Sequence, residues 1–309
     1  MGPSPSAWSV ELSGLEGAVL CVASLDRTGE RMVAVGGDPG SNDPPILLER
    51  TSAGWIDVPP PTAWLGAMWW AHLVAPDDLW IVGARMQIAH GPLGALAMID
   101  APDVEGADDL TLFGVWGSSR DDVWIVGGEP SSPNGHRGVV LHYDGQAISQ
   151  VAVPRAIYKV WGASAREVMM VGDRSWLRFD GEALSILTPP VDAPLITIHG
   201  RAANEVFAVG GFVTGLVIAY DGAAWSDISE TGAPPLNGVA VDASGRVVAA
   251  GYGGYLAVRE GGSWRAVETD LRGLDIHSVQ ATPSGIYAAG GRLAIGSGAR
   301  HGFIGCWRG

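Results

Sequence analysis

Lys159 is the only lysine among the 19 basic residues of the chain; the others are arginines. An amine of this kind, once withdrawn from water, loses basicity and can serve as a base, an amine nucleophile or a hook for an anion. Seven histidines add further acid–base and metal-binding capacity. Zinc would need several ring nitrogens about 2.0–2.1 Å from one ion, yet the chain holds no H-x-H or H-x-x-x-H pair. No metal site is expected. Cys21 and Cys306 fit neither a disulfide framework nor a metal site by count or spacing, and read as two buried thiols. A G-x-S-x-G elbow, a Walker loop and a dinucleotide fingerprint are all missing, so no cofactor is expected. "VGGFVTG" and "GYGGY" are glycine-rich, but they follow strand-like runs where no helix N-terminus would hold a phosphate.

The stretch that carries Lys159 is one copy of a repeated phrase. "FGVWGSSRDDVWIVGG" at 113–128 returns as "YKVWGASAREVMMVGD" at 158–173. Related copies are "WWAHLVAPDDLWIVGA" at 69–84, "ITIHGRAANEVFAVGG" at 196–211, "NGVAVDASGRVVAAGY" at 237–252 and "HSVQATPSGIYAAGG" at 277–291, with a looser one at 20–37. That makes seven copies at intervals of roughly forty residues, the signature of a repeat architecture. Each copy reads as an apolar strand, a polar turn and a second strand stopped by glycine. The aligned turn acids Asp78, Asp122 and Glu167 suit backbone capping better than catalysis.

A second hairpin signal follows most copies: "VVLHYDGQAIS", "WLRFDGEALS", "VIAYDGAAWS" and "LAVREGGSWR". Asp-Gly is a strong tight-turn dipeptide. Four strands per unit cannot bury both faces of one sheet, but seven sheets packed face to face around an axis can. The seventh unit ends at "GFIGCWRG", a third strand only, and the N-terminus supplies "SAWSVEL" at 6–12. The expected fold is therefore all-β. It is a seven-bladed β-propeller of four-stranded antiparallel blades, one domain over 1–309, closed by the N-terminal strand completing the last blade. The blades are expected near 17–61, 62–108, 109–154, 155–191, 192–234, 235–274 and 275–309 plus 6–12.

These copies resemble the W-G-S-x-x-D-V-W-x-V-G repeats of bacterial β-propellers, in the neighbourhood of kelch-like and YCF48-like proteins. The resemblance covers essentially the whole chain. It implies the propeller architecture and no single activity, since propellers serve as binding platforms, lectins, lyases and hydrolases.

In such a ring the loops between the second and third strands share a face with the inter-blade connectors. Here "GGDPGSNDPP" (36–45), "GGEPSSPNGHRG" (127–138) and "GGRLAIGSGARHG" (290–302) are long, while "GDRS" (172–175) is minimal. Loops lengthened on one face of a rigid scaffold build binding surfaces. The candidate ligand-binding residues are Asp38, Asn42, Asp43, Asn134, His136, Arg137, Arg300 and His301. Lys159 aligns with Gly114, Thr197, Gly238 and Ser278 on the innermost strands, and His72 and His199 align with Trp116 and Trp161. Trp80, Trp116, Trp124 and Trp161 recur as packing residues of the inner hairpins. Trp8, Trp55, Trp225 and Trp264 begin outermost strands, where they pin a neighbouring blade or stack on sugar.

Net charge is −14 and no basic run occurs, which argues against a nucleic-acid partner. No apolar run approaches the roughly 18–20 residues that span a bilayer, so membrane insertion is not expected. The start lacks signal-peptide character; the chain reads as cytoplasmic as written, or as exported once a leader is removed. The sequence is therefore read as a monomeric, non-catalytic recognition propeller for a protein or glycan on the long-loop face. The alternative is a lyase- or hydrolase-type enzyme using Lys159, His199 and His277 in the central funnel.

Overall fold

The computed structural model describes residues 8–104, 106–129, 137–292 and 300–309. Among these residues the strands assemble into seven four-stranded antiparallel sheets, six of them meanders of consecutive strands and the seventh completed by the N-terminal strand. The innermost strands are Ala18–Ser24, Met68–Ala75, Thr111–Ser119, Ile157–Ser164, Leu195–Ala202, Leu236–Val241 and Asp275–Thr282, for blades one to seven in order. Each inner strand touches the inner strands of the blades before and after it, and Ala18–Ser24 touches both Met68–Ala75 and Asp275–Thr282. The ring is closed.

Closure is made where the ends of the chain suggest. Strand Trp8–Glu16 runs antiparallel to Arg300–Trp307, with Trp8 opposite Trp307, Leu12 opposite Ile304 and Ser13 opposite Phe303. The N-terminal strand also clamps the seam sideways through one carboxylate. Glu11 accepts hydrogen bonds from Arg50 Nε (2.9 Å) and Nη2 (3.2 Å), from Trp55 Nε1 (3.0 Å) and from Arg308 Nη2 (2.8 Å). Arg50 and Trp55 belong to blade one and Arg308 follows the third strand of blade seven, so Glu11 ties both sides of the seam.

The core is divided into seven interfaces, one between each pair of neighbouring blades. Second strands are buried on both faces, which is why they read as unbroken apolar runs. In Met32–Gly37, Val33 and Val35 face Trp64, Met68 and Ile81 of blade two, while Met32 and Ala34 face Tyr287 and Ile304 of blade seven. Side chains of this size each stabilise the fold by about 1.5–3 kcal/mol when fully buried.

The W-G pair of the repeated phrase acts across the interface rather than within a blade. A Cβ added at Gly162 would lie 2.4 Å from the Trp116 ring of blade three, and one at Gly200 would lie 2.7 Å from the Trp161 ring of blade four. Each tryptophan fills the space left by the glycine of the next copy. The repeated turn acids are held by side chains of the third strand rather than by the turn backbone, contrary to the capping role expected of them. Asp122 meets His142 at 2.7 Å and Asp78 meets His90 at 3.1 Å, and these imidazoles stack on Trp124 and Trp80 with centroids 4.1 and 4.6 Å apart. Glu167 accepts two bonds from Arg178 in the same register. In the outer hairpins Asp144, Asp180 and Asp221 each accept the backbone N–H groups two and three residues ahead, which shapes the Asp-Gly turns.

Candidate functional site

Each inner strand begins at the face that carries the inter-blade connectors and the second-to-third-strand loops, and ends at the tight turns of the opposite face. The two ends of the central channel differ, and a β-bulge in every inner strand sets the difference. The register slips once near the start of each: between Val19 and Cys21, Met68 and Trp70, Leu112 and Gly114, Ile157 and Lys159, Leu195 and Thr197, Leu236 and Gly238, and Ile276 and Ser278. The extra residues are Leu20, Trp69, Phe113, Tyr158, Ile196, Asn237 and His277. Trp69 meets Phe113 edge-on at 4.9 Å and His277 at 6.4 Å, and Phe113 meets Tyr158 at 5.6 Å. These rings bridge blades seven, two, three and four at the long-loop end of the channel.

Below this layer the channel widens into a cavity of about 490 Å³ with walls from all seven blades. Its lining descends from Cys21, Trp70, Lys159, Thr197 and Gly238 through His72, Trp116, Trp161, His199 and Gln280 to Leu25–Arg27 and Ala75–Pro76. Those last residues are first-to-second-strand turns, so the cavity opens on the turn face, away from the long loops.

Lys159 lies at the deep end and is 8% exposed. Its Nζ donates to the Phe113 carbonyl oxygen at 2.8 Å and stands 4.1 Å over the Trp70 ring. Burial pulls its pKa down to about 7, although the nearby Cys21 pushes the other way. Burial raises the Cys21 thiol to about 12, and its Sγ lies 3.7 Å from the Ala71 carbonyl oxygen. His72 and His199 are drawn down to about 4 by burial, and His277 to about 3 by burial and the Lys159 charge. All three imidazoles are neutral near pH 7. His199 Nδ1 accepts the Val241 N–H at 3.2 Å, which places its ring proton on Nε2. Among the described residues no three His, Cys, Asp or Glu side chains converge as a metal site.

Of the set expected for chemistry, Lys159 and His199 line the cavity together; His277 belongs to the aromatic layer above and does not line it. Alignment of the repeated copies places Lys159 on an inner strand, but gives no sign that Cys21, Trp70 and Gln280 line the same cavity. The bulge hides them, because strict alternation along the strand assigns the neighbouring side chains to the wrong sides.

The expected loop residues are dispersed over the long-loop face. The Asp38 side chain accepts the Gly40 N–H at 3.0 Å, and the Asp43 N–H is capped by Ser41 Oγ at 2.8 Å. Asn42 Oδ1 accepts from Arg85 of blade two at 3.2 Å, and Arg137 Nη2 reaches the Gly106 carbonyl oxygen at 3.2 Å. Exposed His301 adopts a left-handed backbone, with φ 59°. Asn134 and His136 lie outside the described residues, and Arg300 is described in its backbone alone. What marks this face beyond those residues is apolar: Leu65, Phe212, Val213 and Tyr252 are 50%, 70%, 85% and 51% exposed. Phe212 and Val213 stand in the loop of blade five, Tyr252 in that of blade six, and Leu65 in the connector into blade two.

The outer-strand tryptophans are held by other blades or connectors. Trp8 Nε1 donates to Asp270 at 2.9 Å, Trp55 to Glu11, and Trp264 to the Ile228 carbonyl oxygen at 2.6 Å. Trp225 packs edge-on against Trp176 of blade four at 4.3 Å.

Solved β-propellers match the chain over nearly its full length. The WD40 propeller domain of Doa1 superposes with a TM-score of 0.66 at 11% identity, covering 96% of each chain. YCF48 from Cyanidioschyzon merolae gives 0.68 at 12% identity over 98% of this chain and 99% of that one. A structure of YCF48 bound to a D1 peptide gives 0.57 at 14% identity over 99% and 98%. At such identities the likeness shows the fold alone. No protein-family model matches the chain, and no curated protein matches it. Among the described residues no helix is long and apolar enough to cross a membrane.

Proposed function

We propose that this chain is a non-catalytic recognition propeller that binds a protein segment on its long-loop face. The observation that carries the reading is the exposed pair Phe212 and Val213 in the blade-five loop, with half-exposed Tyr252 in the corresponding loop of the neighbouring blade six. Large apolar side chains left in water on a rigid surface mark docking sites, and a preformed ring loses little ordering entropy when it binds. Beside them a cleft of about 780 Å³ runs between the Phe212 loop and the 227–232 connector, with Glu230 and Asp227 on its wall. Apolar anchors beside carboxylates suit a segment that combines apolar and basic residues. Asp38, Asn42, Asp43, Arg137 and His301 are proposed as the outlying part of the same surface. The peptide-bound YCF48 structure supports the class of ligand, since the peptide there rests on a propeller of similar fold. Glycan is the less favoured ligand, because the outer tryptophans suited to sugar stacking hold neighbouring blades instead.

The test is capture from native lysate by wild-type protein and by the Phe212→Ser, Tyr252→Ser double variant. Loss of the captured protein with an unchanged melting temperature is the expected result. Equal capture by both, or capture abolished only by competing oligosaccharide, would overturn this reading.

A further inference from the structure

The cavity on the turn face is separate from that docking surface and has a chemistry of its own. Its deepest polar group is an ammonium with three N–H donors, one of them given to the Phe113 carbonyl oxygen. Among the described residues no carboxylate pairs with it. The only acid in the lining is Asp26, at the mouth. Both its oxygens are taken by its own turn: Oδ1 accepts from the Thr28 and Gly29 N–H groups at 2.9 and 2.7 Å and from Thr28 Oγ1 at 2.8 Å, and Oδ2 accepts from the Arg31 N–H at 2.8 Å.

A buried cation without a counter-ion is costly, and an anion placed beside it removes that cost. The remaining groups that face Lys159 carry no competing negative charge. Cys21 from blade one stays a thiol, and His277 from blade seven is neutral. Trp70 from blade two offers its ring face. His199, with its proton on Nε2, is a neutral donor in the same cavity. Trp116 and Trp161 add flat apolar wall on the way to the mouth, where Arg27 stands exposed. One buried positive charge matches one negative charge, and aromatic walls match an apolar body.

We propose that this cavity is a receptor for a small organic monoanion, its carboxylate seated on Lys159 and its apolar body held against Trp70, Trp116 and Trp161. Entry is from the turn face, so ligand and docked protein occupy opposite ends of the ring. Only the ammonium form receives the anion, and the empty site is half charged near pH 7. Affinity then follows the charged fraction, which is constant well below that pH and falls about tenfold per unit above it.

Isothermal titration of the full chain with benzoate, phenylacetate and indole-3-acetate tests this, with benzamide as the neutral control. At least one acid should bind more than about tenfold tighter than benzamide, as a charge-assisted contact to a buried cation requires. In Lys159→Met that preference should vanish. Should the variant fold poorly, the wild-type protein supplies a second measurement: affinity for the acid should weaken about a hundredfold from about pH 6 to about pH 9. The proposal is overturned if none of the three acids binds at millimolar concentration, if Lys159→Met binds them equally well, or if affinity is flat across that pH range.

Discussion

Glu11 is the residue on which closure of the ring can be tested most directly. Burial pushes its carboxyl pKa up, but the hydrogen bonds from Arg50 and Arg308 outweigh burial and leave it below its ordinary value. The folded state therefore favours the carboxylate. The Arg50 pair is bidentate and largely buried on both sides, which suggests about 2–3 kcal/mol for this charge-assisted contact. The bond from Trp55 adds about 1 kcal/mol. Arg308 is half exposed, so solvent screening leaves its share at about 0–1 kcal/mol. Glu11→Ala should then cost about 4 kcal/mol, while Glu11→Gln, which keeps an acceptor oxygen, should cost about 2 kcal/mol. Urea unfolding at neutral pH measures both. A double-mutant cycle with Arg50→Met should return a coupling of about 2 kcal/mol, as expected for residues in direct contact. The stabilisation should be present above the ordinary carboxylate range and disappear as pH falls through the lowered pKa of Glu11. A cost below about 0.5 kcal/mol for Glu11→Gln, the size of an ordinary surface change, would refute the claim that this carboxylate locks the seam.

The channel histidines make a second, independent prediction. With folded pKa values of about 4 for His72 and His199 and about 3 for His277, the unfolded chain binds their protons first as pH falls from about 6.5. Each should remove about 1.4 kcal/mol of stability per pH unit until its folded pKa is reached, or about 4 kcal/mol per unit for the three together. Urea midpoints that do not move between about pH 6.5 and about pH 5 would contradict the neutral, buried state of these rings. Third, Gly162→Ala or Gly200→Ala should force a tryptophan of the preceding blade out of place and cost about 1–3 kcal/mol. Gly94→Ala, where a Cβ would meet open space, serves as the control, and thermal melting separates the two cases.

Most of the architecture was legible because a propeller is nearly one-dimensional. Each blade buries its faces only against the blades before and after it, so the same apolar pattern must be written seven times. The glycine of the W-G pair shows how local that code is: the residue is needed because the preceding copy's tryptophan lies over it. The closing strand was legible too, since an incomplete last unit and a spare strand-like segment at the other end have one mutual solution. The candidate site was less so. Lys159 could be placed on an inner strand by alignment, but not its contacts with Phe113 and Trp70, which come from two other blades. Nor could alignment part His277 from Lys159.

Repetition, turn chemistry and the spare terminal strand thus determine the number of blades, their order and their closure from the linear chain alone, because those features depend on neighbours close in sequence or equivalent by repeat. The interior of the ring was decided by the tertiary structure. The bulge near the start of each inner strand assigns each side chain either to the aromatic layer or to the cavity beneath it. The convergence of seven strands on one axis, with almost no contact encoded locally, then sets which side chains form the aromatic layer, which line the cavity and where its one lysine lies.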